Sequence, residues 1–168
     1  MDHVAVLTDA FGRVRDEVHA VLDGLPEAAL TYRIDGDANT IAWLVWHLTR
    51  VQDDHVCDVA GRQQAWTEGG WSERFALPFS AEAIGYGQSS QEVAQVRADA
   101  DLLRGYYDAV HDRTLDYLRT VTAEDLDRVV DRRWDPPVTL GVRLVSVISD
   151  DLQHVGQAAF VRGVFERQ

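Results

Sequence analysis

Apolar residues return at alternating intervals of three and four along several separate stretches of this chain. That rhythm commits it to helices that each bury one face. Val4, Leu7, Phe11, Val14, Val18, Val21 and Leu25 form the first stripe, and the positions between them are mainly polar. A period near 3.6 residues puts such a set on one side of a helix. The spacing therefore predicts a helix over residues 2–23, closed by Gly24 and Pro26.

Three further helices follow from the same pattern. Asn39 or Thr40 can cap the second, which runs through IAWLVWHLTRVQDDHVCDVA to about Gly61. Ile41, Leu44, Leu48, Val51 and His55 make its inner stripe, widened by Trp43 and Trp46. Ser89 with Glu92 reads as a capping box opening the third, which continues to about Arg119 through Val93, Val96, Ala100, Leu103, Tyr107 and Val110. Thr122 with Asp125 suggests a short helical turn, and Pro136 and Pro137 forbid helix before Val138. The last helix runs from about Thr139 to Phe165 and is apolar nearly all round, which assigns it a central place. Residues 27–38 read as a connection. Residues 62–88 are irregular, yet Trp66, Trp71, Phe75, Phe79 and Tyr86 are too many aromatics for a solvated loop. No internal repeat and no convincing strand is read. The expected fold is all-α: a four-helix bundle, one domain over residues 1–168, with a long connection between helices two and three.

Charge and cysteine content narrow the function. A net charge of −12 disfavours phosphate backbones and anionic bilayers, so neither nucleic acid nor a membrane is expected as a partner. The single cysteine, Cys57, allows no intrachain disulfide, and the N-terminus has no secretory pattern; both fit a cytoplasmic chain. Cys57 has no obvious base beside it and reads as a small buried hydrophobe.

Three polar residues occupy positions where the helical pattern asks for apolar ones. His47 lies between Trp43 and Val51 on one face. Asp150 and His154 share a face of the last helix with Val147, Ala158 and Val161, one turn apart. A buried carboxylate is costly unless it is paired or bound to a cation. A carboxylate and a His one turn apart, joined by a His from a facing helix, suit Zn, Ni or non-haem Fe. The plain alternative is that Asp150 only orients His154 by hydrogen bonding and that His47 is a satisfied core histidine. Asp151 competes as the carboxylate. His55 reads as core or surface, or as a support to the site. His3, His19 and His111 read as surface residues, and Asp53 and Asp54 as a solvated helix face.

At NTIAWLVWHLTRVQDDHV, WSERFALP and DDLQHVGQAAFVRG the chain resembles the DinB-like superfamily over nearly its whole length. It looks like the branch that holds mycothiol-dependent maleylpyruvate isomerase and related small-thiol S-transferases. Those families carry a His in a W-x-x-HL segment and a carboxylate or His four residues before a final His. His47, Asp150 and His154 match that triad, although many members have Glu or His where this chain has the shorter Asp150. The isomerases add a C-terminal thiol-binding domain that these residues do not include, so the resemblance implies the bundle and the site rather than isomerisation. It implies a divalent metal (zinc first, nickel or iron as alternatives), a small-molecule electrophile as substrate, and a homodimer. All 16 cationic side chains are arginines, a composition that fits a high-GC genome of the kind that makes mycothiol. In that account Trp66, Trp71 and Phe75 wall the pocket and Arg74 anchors a carboxylate. The competing readings are a non-catalytic DinB-like binding or stress-response module with a degenerate metal site, and a non-haem iron enzyme.

Overall fold

Asp2 opens the first helix by accepting the Ala5 N–H at 2.8 Å, and α1 then runs His3–Leu22. The structure, a computed structural model, describes all 168 residues. After Pro26 comes one short turn, α2 (Glu27–Leu30), inside the stretch read as a connection. Thr40, rather than Asn39, caps α3 (Ile41–Ala60), its hydroxyl accepting the Trp43 N–H at 3.1 Å. Gly61 ends α3 in the left-handed region at φ +63°, where a side chain would be strained.

The long connection is less irregular than its glycines suggest. It holds α4 (Ala65–Glu68) and α5 (Trp71–Phe75). The capping box at Ser89 and Glu92 is present, but it opens only the short α6 (Ser90–Val93). The third long helix starts afresh as α7 (Ala100–Leu118), where Asp99 accepts the Leu102 N–H at 2.7 Å. Val93 and Val96 are both buried, so the apolar spacing runs on across residues 94–99 while the backbone does not. That is why periodicity alone joined the two.

Thr122 and Asp125 exchange hydrogen bonds ahead of a 3-10 turn at Glu124–Asp127, as expected. The absence of strands is corrected: β1 (Val129–Asp131) and β2 (Val138–Thr139) pair antiparallel just before the last helix. A pair this short carries too few residues to show a period of two. Thr139 caps α8 (Leu140–Phe165).

The long helices pack in a ring in which α1 and α3 each touch both α7 and α8. Two apolar clusters fill it. The larger contains Val14, Trp46, Leu103 and Ala158, and the smaller contains Leu7, Phe11, Leu118 and Leu144. Each fully buried Val, Leu or Phe among them stabilises the fold by about 1.5–3 kcal/mol. α8 is not sunk in the centre. One face is buried against α1 and α3, while Val142, Val145, Leu152 and Phe160 on the other are exposed. No helix is long and apolar enough to cross a membrane.

Candidate metal centre

His47 on α3 meets Asp150 and His154 on α8. One donor atom from each lies within 4.8 Å of the others, and the two imidazole centroids are 4.8 Å apart. His47 is 2 % exposed, while the Asp150 and His154 side chains keep 25 % and 18 %, so the group opens on one side only. Trp43 stacks on His47 at 4.6 Å and presents an edge to His154. Tyr86 closes on His47 edge-on at 5.3 Å and is itself largely exposed.

The His47 ring is held from behind. Its Nδ1–H donates to the carbonyl of Ile84. A carbonyl can only accept, so Nδ1 carries the proton and Nε2 keeps its lone pair. Burial pushes this imidazole below its ordinary pKa and outweighs the opposing effect of the Ile84 carbonyl, so the ring is neutral near pH 7. Gly85 lies so close that a Cβ there would stand 2.3 Å from His47 Nδ1, and its φ of +106° also requires glycine. Trp43 Nε1 donates to Gln88 at 2.7 Å and fastens the far end of this segment.

The donor set fits a divalent cation. Asp150 Oδ1 is 3.7 Å from His154 Nε2, too far for the orienting hydrogen bond that the plain alternative needs. Asp150 Oδ2 and His154 Nδ1 are buried without a partner. Two imidazoles and an unsatisfied carboxylate are a ligand set of zinc and its neighbours. Asp151 does not join it. It is fully buried, neither oxygen has a partner, and burial, then Asp150, pushes its carboxyl well above the usual range.

The other candidates fall elsewhere. His55 sits two turns further along α3, where its Nδ1 accepts from Arg143 at 3.1 Å. His111 is corrected from surface to core at 4 % exposure, while His3 and His19 are half-buried on Val121 O and Asp108. Trp66, Trp71 and Phe75 do not wall the triad; their rings pack on Tyr106 at 5.2, 5.6 and 5.7 Å. Arg74 is taken up by Trp71, 3.9 Å above its ring, and by Gly69 O. Cys57 is buried as expected, and burial, with Asp53 beside it, pushes its thiol up to about 12.

Asp53 is the largest correction. Read as solvated, it is 1 % exposed. It accepts from Ala65 N, Trp66 N and Tyr106 Oη at 2.9, 2.8 and 2.9 Å, beside the fully buried Arg50 at 3.8 Å. The signal was present in Trp46, Arg50, Asp53 and Cys57, spaced four, three and four on one helix face. Gly85, Tyr86 and the Ile84 carbonyl gave none, because each acts through backbone placement.

This chain belongs to the DinB superfamily, whose pattern it matches over residues 10–158, a span that includes all three donors. A solved structure of a conserved protein from Enterococcus faecalis is 30% identical, with a TM-score of 0.90 and 96% of each chain covered. No curated protein matches the sequence.

Proposed function

We propose that residues 1–168 form one DinB-like four-helix-bundle domain acting as a metal-dependent small-thiol S-transferase, of mycothiol type, on an electrophilic small molecule. The observation that carries the metal half is the convergence of one donor atom each from His47, Asp150 and His154 within 4.8 Å, where Asp150 Oδ2 and His154 Nδ1 are also buried without partners. The thiol half rests on the family resemblance. A divalent ion held by these three residues would stabilise a bound thiol as thiolate near neutral pH. Ile84 keeps the His47 proton on Nδ1, away from that position. Trp43 excludes water from the inner wall, and Tyr86 borders the open side through which a thiol and an electrophile enter. Chelator-free purification followed by elemental analysis is expected to find about one zinc per chain, and added zinc is expected to raise transfer of a small thiol to a chromogenic aryl halide. Metal content near zero with no gain on adding zinc overturns the reading.

The outer face of α8 supports a homodimer. Its exposed positions from Val142 to Phe160 are Val142, Val145, Ser146, Ser149, Leu152, Gln153, Gly156, Gln157, Ala159 and Phe160, none of them charged, in a chain of net −12. Two copies can meet there without repulsion. Sedimentation is expected to give a dimer that Val145→Glu with Leu152→Glu converts to monomer; a monomeric wild-type chain overturns this.

A further inference from the structure

The strap Ala81–Tyr86 is tied to α3 one turn beyond His47. Arg50 is fully buried, and its guanidinium faces the strap: Nε donates to Ala83 O at 3.1 Å and Nη2 to Ala81 O at 3.2 Å. Nη1 donates to Gln64 Oε1 at 2.8 Å and reaches Tyr106 Oη at 3.4 Å. Trp66 lies 4.9 Å beneath the guanidinium, with Asp53 beside it. The next residue of the strap supplies the carbonyl that accepts the His47 Nδ1–H, and the one after it is the glycine pressed on the ring.

We infer that Arg50 is a positioning residue for the His47 site: it sets the height of the strap, and through the Ile84 carbonyl it decides which nitrogen of His47 is left to face a metal. This deepens the metal reading above and borrows its ligand set. The physical argument is one of geometry. The planar fork satisfies two carbonyls two residues apart, which a single ammonium cannot do in the same plane. Without it, Ala81 O and Ala83 O lose their donors, and the strap keeps only the Trp43–Gln88 bond at its far end, which is too remote to fix the height of Ile84 O over the ring. The imidazole is then free to turn or to change tautomer. Partners of this kind behind a ligating histidine change metal affinity by about 10–100-fold.

The test uses the full chain, stripped of metal, and reads the His47 tautomer by two-bond nitrogen–proton correlation NMR. The wild-type ring is expected to show Nδ1–H. Arg50→Lys, which keeps the buried charge but loses the fork, and Arg50→Gln are expected to show a mixed or Nε2–H ring and to weaken zinc binding by about 10–100-fold. Gly85→Ala is expected to shift the tautomer in the same direction. Leu118→Ala, in the other apolar cluster, controls for lost stability and is expected to leave both readouts unchanged. If Arg50→Lys or Arg50→Gln folds and keeps Nδ1–H, the proposal is overturned. If neither folds, Arg50 serves folding alone and the proposal is equally overturned. If the wild-type chain takes up no zinc yet the Arg50 variants shift the tautomer, the metal reading fails while the positioning role stands.

Discussion

Replacing His154 with alanine is expected to empty the metal centre while leaving the fold intact. His154 Nδ1 has no hydrogen-bond partner, its Nε2 sits 3.7 Å from Asp150, and the side chain is 18 % exposed. No hydrogen bond is broken by its removal, and the neighbouring α8 side chains Val155 and Ala158 remain buried. The stability change should stay near 1 kcal/mol, the centre of the range for substitutions of this kind. Metal affinity should fall much further. A residue behind a ligand costs about 10–100-fold when lost, so loss of a ligand itself should exceed 100-fold. Elemental analysis would then fall from about one equivalent to none. His47→Ala is a poorer experiment, because it also removes the stack on Trp43 and the bond to Ile84 O. Stoichiometric zinc retained by a folded His154→Ala chain would show that the three donors do not act together.

Asp53→Ala is expected to produce the largest loss of stability of any change considered. The carboxylate accepts four hydrogen bonds, from two backbone amides of α4, from Tyr106 and from Cys57 Sγ, at 1 % exposure. Its removal leaves Arg50 charged, fully buried and without its anion. Breaking one half of a buried pair costs about 3–5 kcal/mol. The linear extrapolation of urea unfolding should show that loss with little change in slope. Asp53→Asn separates shape from charge: it fills the same space but keeps only one acceptor oxygen, so a smaller loss is expected. A change under about 1 kcal/mol in Asp53→Ala would mean that the cluster is solvated in solution.

The helices were legible because each long one writes a stripe. Val14, Val18 and Val21 are buried, as their spacing required, and Thr40 and Ser89 cap where their chemistry allowed. The break at residues 94–99 was hidden because Val93, Val96 and Leu103 keep phase across it. The outward face of α8 was misread as central, since exposed Val145 and Leu152 look no different from buried Val147 and Val155 in a one-dimensional pattern. At the site, His47, Asp150 and His154 stood out as polar residues on apolar stripes. Their supports did not. A carbonyl, a glycine and a strap have no periodicity, and the Arg50–Asp53 pair uses residue types that surface helices also use.

The fate of Cys57 bears on how the protein survives contact with the compounds proposed for it. Burial and the neighbouring Asp53 push its thiol up to about 12, so the reactive thiolate is scarce at neutral pH. An alkylating reagent or an oxidised disulfide therefore finds the chain's only sulfhydryl buried and protonated. The polypeptide should therefore tolerate air, peroxide and electrophiles at concentrations that poison enzymes with an accessible cysteine. Handling it needs no protective reductant.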